Sequence, residues 1–145
     1  MTLPRRDAAE ARRAPSPVRP HVVFTSGGVP FAFDAAHARH VLRAAAGDEV
    51  RFLDQPYPLV DVRRAFGHPA GDAGFVVLVE SRGRAGLQVD ELRGIAAIDP
   101  GALAPLPAVY RGTERRWIAG LHPTDDGVTV VVRVAELLET LGAVP

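Results

Sequence analysis

Short runs of β-branched, aromatic and aliphatic residues recur along this chain, and turns built on glycine separate them. HVVF and VPFAF flank Ser26-Gly27-Gly28, GFVVLVE (74–80) runs into Arg82-Gly83, and VTVVVRV (128–134) follows Asp125-Asp126-Gly127. Gly-Gly and Asp-Gly steps accept positive φ, which a tight two-residue hairpin demands. Many short strands at regular spacing, closed by such turns, pack as a barrel or a sandwich. A mainly β fold with a few short helices is therefore expected.

The remaining segments fit around these hairpins. DAAHARHVLRAAAG (34–47) reads as a first helix, with Asp34 as N-cap, Ala38, Val41 and Leu42 at helical spacing, and Gly47 as its stop. Val50, Phe52 and Leu53 read as one strand and Tyr57–Val62 as the next, with Asp54-Gln55-Pro56 near the turn. VRRAFG is a short helical turn ended by Gly67, and HPAGDAG (68–74) is a loop. RAGLQVDELRGIAAID (84–99) reads as one or two strands bending near Asp90, and 99–107 as a connecting loop. TERRWIAGLH (113–122) is a further strand. AELLETL (135–141) closes the chain as a helix with Leu137, Leu138 and Leu141 facing inward. VRFLDQPYPLVDVRRAFG and WIAGLHPTDDGVTVVVRVAELLETLG share the order strand, turn, strand, helix, so the chain reads as two related halves.

Composition narrows the function classes. A length of 145 residues suits one domain plus a tail. Residues 1–20 carry Pro4, Pro15, Pro17 and Pro20 beside Arg5, Arg6, Arg12, Arg13 and Arg19, with too little apolar surface to offset ordering. They read as a flexible Arg/Pro-rich tail, leaving 21–145 as the folded domain. Seventeen basic residues, all arginine, balance 17 acids, which argues against nucleic acid as a partner. No cysteine is present, so disulfides, thiolate nucleophiles and cysteine-based zinc sites are excluded. No apolar run reaches the length of a membrane-spanning helix. The opening MTLPRRDAAEARRAP has no apolar signal core, so no membrane insertion and a cytoplasmic location are expected.

Side chains that could carry chemistry have plainer readings. His37 and His40 lie at i and i+3 of the first helix, where imidazoles could share a metal, but no third ligand is near in sequence. They read as solvated helix residues; a small hydrolase or metal enzyme built on them is the remote alternative. Asp125-Asp126-Gly127 lacks the spacing of a calcium loop. Glu80, Asp90 and Glu91 could pair for acid–base work, yet hydrogen bonding at strand ends accounts for them. None of Ser16, Ser26 and Ser81 sits in a nucleophile elbow, and Gly27-Gly28 lacks the following Lys-Ser/Thr of a phosphate loop. Trp117 reads as core. No catalytic, cofactor or metal residue is assigned.

Four segments, taken in order, resemble the CheW-like domain family of bacterial chemotaxis coupling proteins. They are VVFTSGGVPFAFDAAHARHVLR (22–43), YPLVDVRRAFG (57–67), FVVLVESRGRAGLQVDELRGIAAIDPGALAPLP (75–107) and WIAGLHPTDDGVTVVVRVAELL (117–138). The resemblance implies two small five-stranded SH3-like β-barrels packed together. It also implies a non-catalytic adaptor that grips the regulatory domain of a CheA-type histidine kinase on one surface and a chemoreceptor tip on another. A degenerate module outside a receptor array, pairing with itself or another CheW-like protein, is the alternative.

The chain departs from the family pattern in three places. The loop between Arg43 and Pro56 is shorter than the family's. Aligned back from Pro58 and Asp61, the family's Asn-Leu-Arg-Gly becomes Arg51-Phe52-Leu53-Asp54. A leucine thus replaces an arginine of the family's partner-binding surface, and leucine cannot imitate five fixed donors. Arg51 lies two strand positions away, ~7 Å. The closing Leu-Asp becomes Val132-Arg133, a reversal of charge. The strand Val50, Arg51, Phe52, Leu53 and Asp54 is accordingly expected to contact partners, with an apolar contact at Leu53.

Overall fold

The computed structural model describes residues 18–43, 47–66, 74–108, 112 and 114–142. Expectations for 1–17, for Gly67 and for the loop 68–73 lie outside these residues. Ten strands follow one another: β1 Arg19–Ser26, β2 Val29–Asp34, β3 Ala38–Arg43, β4 Glu49–Phe52, β5 Gln55–Asp61, β6 Phe75–Glu80, β7 Arg84–Val89, β8 Glu91–Ile98, β9 Ile118–Thr124 and β10 Gly127–Val132. Two short helices, α1 Glu114–Trp117 and α2 Val134–Thr140, and three 3₁₀ turns complete the described chain.

The strands form two five-stranded sheets, ordered β8-β1-β2-β10-β9 and β3-β6-β7-β5-β4. Each sheet is two hairpins joined through a parallel pair of strands, with one crossover strand added at an edge. β2 runs parallel to β10 with Ala32 opposite Val131, and β7 runs parallel to β5 with Leu87 opposite Val60. The two halves of the sequence are present, one in each sheet, with β4 and β5 at one edge of the second and β9 and β10 at one edge of the first. β3 leaves the first hairpin to pair with β6, and β8 leaves the second hairpin to pair with β1. The second sheet is therefore one contiguous stretch, β3 to β7, inserted between β2 and β8 of the first.

Alternation along the strands builds three cores, because successive side chains point to opposite faces. The largest lies between the sheets and takes Val22, Phe24, Phe31 and Phe33 from the first, and Val60, Val77, Val79, Ala85, Leu87 and Val89 from the second. The other face of each sheet curls on itself into a small barrel. Ala32, Val131 and Ile98 share one interior with Ala96 of edge strand β8 and Ala119 of edge strand β9. Tyr57, Val76 and Leu78 share the other with Leu42 of β3 and Val50 and Phe52 of β4. Trp117 and α2 cap the central core; Leu137, Leu138 and Leu141 are buried, as their spacing requires.

Gly86 marks where the second barrel is tightest. A Cβ there would meet Leu59 Cδ2 and Val76 Cγ1, each at 2.8 Å. Overfilling a packed interior costs about 1–3 kcal/mol. Gly86→Ala is expected to lower stability by that amount in urea unfolding, and an unchanged midpoint would contradict this packing.

Several local expectations hold. Gly27 and Gly28 turn β1 into β2 with φ of 61° and 81°. Residues 125–126 turn β9 into β10, and the 84–99 stretch is two strands broken at Asp90. Asp34 caps as expected, accepting the Ala36 N–H at 2.9 Å.

Four expectations are corrected. The helix expected over 34–47 is, across its described residues 34–43, a single 3₁₀ turn, Ala35–His37, followed by β3, while 44–46 lie outside the described residues. A bulge between Ala38 and His40 is the reason for the misreading. It inserts one residue and switches faces, so that Ala38 meets the central core and Leu42 the barrel interior, four residues apart. That spacing imitates a helix. Glu114–Trp117 is one helical turn rather than strand, and it packs on α2. Leu53 is not strand; it forms the turn between β4 and β5 with Asp54, and Gln55 and Pro56, expected near that turn, already belong to β5. Finally, β1 claims Arg19 and Pro20 from the segment read as tail, pairing them with Ile98 and Ala97.

Candidate functional site

The β4–β5 hairpin is built to project its tip. Glu49 faces Pro58, Val50 faces Tyr57, Arg51 faces Pro56 and Phe52 faces Gln55. Proline donates no N–H to a ladder, so two of the four pairs on β5 are weakened and side-chain anchoring must compensate. Val50 and Phe52 supply it by packing inward. The His40 ring on β3 stacks on Phe52 at 4.6 Å with 14° between planes. That contact joins the two edge strands of the second sheet and closes its barrel.

The tip points away from the core. Leu53 and Asp54 have φ of 52° and 64°, the paired left-handed geometry of a two-residue hairpin that asparagine and glycine favour. Leucine in this region costs ~1–2 kcal/mol. Leu53 is 80% exposed, the most exposed large apolar side chain among the described residues. Arg51 is exposed as well and donates from Nη2 to the Asp54 carbonyl at 3.2 Å. The five expected contact residues thus divide: Val50 and Phe52 hold the hairpin, while Arg51, Leu53 and Asp54 are presented to solvent.

A second feature was not legible in the sequence. On the first sheet lies an apolar cleft of about 660 Å³, lined by Val29 and Phe31 of β2, Ile118 and Leu121 of β9, and Val128 and Val130 of β10. Glu114 and Ser26 are its polar members. The buried Ser26 hydroxyl has no hydrogen-bond partner among the described residues. The run VTVVVRV puts Val128, Val130 and Val132 on one face, which reads as core, so its pattern could not say that Val128 and Val130 line an open cleft.

The side chains weighed for chemistry have structural work. Asp90 joins the two sheets: Oδ2 accepts the Gly27 N–H at 2.8 Å, Oδ1 meets Arg63 Nη2 at 2.6 Å, and its own N–H donates to the Thr25 carbonyl at 2.9 Å. Asp61 Oδ1 accepts the Arg63 N–H at 2.9 Å and so fixes the turn that delivers that guanidinium. Glu80 faces Arg39 at 3.4 Å and Arg84 at 3.9 Å. Glu91 accepts from the Thr25 hydroxyl. His37 ends a 3₁₀ turn and His40 sits on β3, so the helical i, i+3 pairing does not exist. Among the described residues no three His, Asp or Glu side chains are grouped to hold a metal. None of the described helices is long and apolar enough to cross a membrane.

Arg133 explains one departure from the family pattern. It stands at the N-cap of α2 without capping it, and donates from Nη1 to the Arg116 and Ile118 carbonyls at 3.2 and 3.1 Å. An aspartate there could cap the helix but has no donor for those carbonyls. Here the side chain ties α1 and β9 to the start of α2.

Comparison with known proteins agrees with this architecture. The crystal structure of the scaffolding protein TtCheW from Thermoanaerobacter tengcongensis superposes with a TM-score of 0.69. It is 20% identical, and the match covers 84% of this chain and 93% of that one. No curated protein sequence matches significantly. The family model for the CheW-like domain matches residues 20–142. That match spans most of the chain, and the chain belongs to the CheW-like domain family.

Proposed function

We propose that this protein is a non-catalytic adaptor of a chemosensory pathway, working in the cytoplasm. In this reading it couples the regulatory domain of a chemotaxis-type histidine kinase to a chemoreceptor. Family membership over 20–142 supports the adaptor role, and the relative of like fold carries the name of a scaffolding protein. The domain responsible is 21–145, extended by the first residues of β1.

The single observation that carries the contact assignment is Leu53, held in a left-handed turn and 80% exposed. Non-glycine residues in strained turns persist where the surroundings impose them, and such strain clusters at functional positions. Val50 and Phe52 fix the hairpin, and Arg51, Leu53 and Asp54 meet the partner. An apolar anchor ringed by polar groups is the usual form of an interface hot spot.

Titration calorimetry against the regulatory domain of each chemotaxis-type kinase of the same genome tests the reading. Micromolar binding to one of them is expected. Leu53→Asn is expected to weaken that binding about tenfold, ~1.4 kcal/mol. The same variant is expected to raise folding stability by ~0.5–1 kcal/mol, because asparagine tolerates the left-handed turn. Opposite signs for stability and affinity separate a contact role from a folding role. Unchanged affinity with Leu53→Arg would sink the assignment, and binding to no kinase would sink the adaptor reading.

A further inference from the structure

The two barrels have the same number of strands but not the same filling. Each sheet has five strands. Tyr57, Leu78, Leu42 and Phe52 crowd the interior of the second barrel. Ala32, Ala96, Ala119, Val23 and Val131 stand in the first. Strand number and stagger set the width of a barrel, so the smaller side chains leave the first one underfilled. A cavity of about 500 Å³ opens there, with Val23, Ala96 and Ile98 of that interior in its wall. Its volume is that of a small-molecule site, and barrel mouths are a favoured place for one.

Two charges of opposite sign line the same cavity, Arg93 from β8 and Asp126 from the turn between β9 and β10. Neither side chain has an ion pair among the described residues. A bulge sets the position of Arg93. Val23 faces Gly94 and Phe24 faces Leu92, so Arg93 is the extra residue of β8. Gly94 takes a φ of 113° to make the step. Leu92 and Ala96 are four residues apart, a spacing that regular alternation would put on one face. The bulge instead sends Leu92 to the central core and Ala96 into the barrel. Bulges re-aim side chains in this way beside binding sites. Thr129, which is buried, and His122 line the cavity as well and offer hydrogen bonds.

We propose that the mouth of the first barrel binds an α-amino acid with a small aliphatic side chain. Arg93 receives the carboxylate, for which its planar fork of donors is suited. Asp126 receives the ammonium group, and the aliphatic side chain enters between Val23, Ala96 and Ile98. A molecule with one charge alone leaves the other residue unanswered, and one without a side chain leaves the barrel unfilled. This inference goes beyond the adaptor reading and can fail without it.

Titration of the full chain with L-valine, followed by ¹H–¹⁵N NMR, provides the test. Saturable shifts are expected in β8 and in the β9–β10 turn, with a dissociation constant of ~0.1–1 mM for a ligand of so few atoms. Isovalerate lacks the ammonium group, isobutylamine the carboxylate and glycine the side chain. Each is expected to bind about tenfold more weakly or worse. Arg93→Gln and Asp126→Asn, both at exposed sites, are expected to weaken L-valine to the same degree, with retained amide dispersion as the check on folding. Should one of them fail to fold, the other and the three analogues carry the test. No saturable shift up to tens of millimolar L-valine overturns the proposal. So do shifts confined to the second sheet, isovalerate binding as tightly as L-valine, or an affinity unchanged in a folded variant. Binding to a kinase domain is read separately by calorimetry, so the adaptor role and this site can each fail alone.

Discussion

Replacing Trp117 with alanine is expected to remove about 3–5 kcal/mol of folding stability, the range found for deleting a fully buried large aromatic. Trp117 has no solvent exposure and belongs to the central core with Leu137, Leu138 and residues of both sheets. Its backbone carbonyl also accepts the Arg133 N–H at 2.7 Å, which ties α1 to the start of α2. Truncation would open a cavity at the junction of two sheets and a helix, where no single element can move in to fill it. Domains of this size are stable by only ~5–15 kcal/mol, so the loss is a large fraction of the total. Far-UV circular dichroism in urea is the measurement, because the chain has no other tryptophan to report by fluorescence. A loss under about 1 kcal/mol, the size of an ordinary surface substitution, would mean that Trp117 does not occupy the core. Ile95→Ala, at a site 65% exposed, is the matched control and is expected to change little.

The second large effect is expected at Asp90. Asp90→Ala should cost ~2–4 kcal/mol, because it leaves the Gly27 N–H without its acceptor and Arg63 without its carboxylate. The ion pair is 22% and 24% exposed at its two side chains, so salt screens it less than a surface pair. Arg63 comes from the 3₁₀ turn Val62–Phe66 that follows β5 and Gly27 from the turn between β1 and β2, and Asp90 stands where β7 hands over to β8. The expected consequence is loosening between the sheets rather than unfolding of one strand. A double-mutant cycle with Arg63→Ala isolates the pair, and a coupling of ~1–3 kcal/mol is expected for groups in direct contact. Additive losses would show that Asp90 acts only through Gly27. Asp90→Asn keeps an acceptor without the charge and is expected to fall between wild type and alanine.

Parts of this site were legible in the sequence for identifiable reasons. The segment 50–54 stood out because Leu53 occupies a position where the family pattern has arginine. Its exposure follows from the turn, and the turn was misplaced by one or two residues. Nothing local marks Leu53-Asp54 as the reversal, since leucine is a poor turn residue and the neighbouring Pro56 is a stronger signal. Asp90 was read as a strand-end hydrogen-bonding residue, and it is one. Its partner Gly27 lies 63 residues away, and Arg63 lies 27 away, so no spacing rule could name them. The stacking of His40 on Phe52 was hidden because His40 was placed on a helix.

The sequence alone determined the elements whose cause is local. Gly27-Gly28 accept the φ values that a reversal needs, Gly127 supplies the positive φ that follows the Asp125-Asp126 turn, Asp34 offers an oxygen to the next free N–H, and Leu137, Leu138 and Leu141 recur at the helical period. Each of these depends on residues a few positions apart, so the information is contained in the segment. Tertiary structure alone decided which strands meet. The chain crosses from the first sheet to the second after β2 and back after β7, so that the apolar face of each sheet is covered by the other. The bulge at β3 converts a helix-like spacing into a strand that serves two cores. The cleft and the projecting tip exist only once those crossings have set the two sheets against each other. Their free energy resides in contacts between distant segments, where local pattern carries no information.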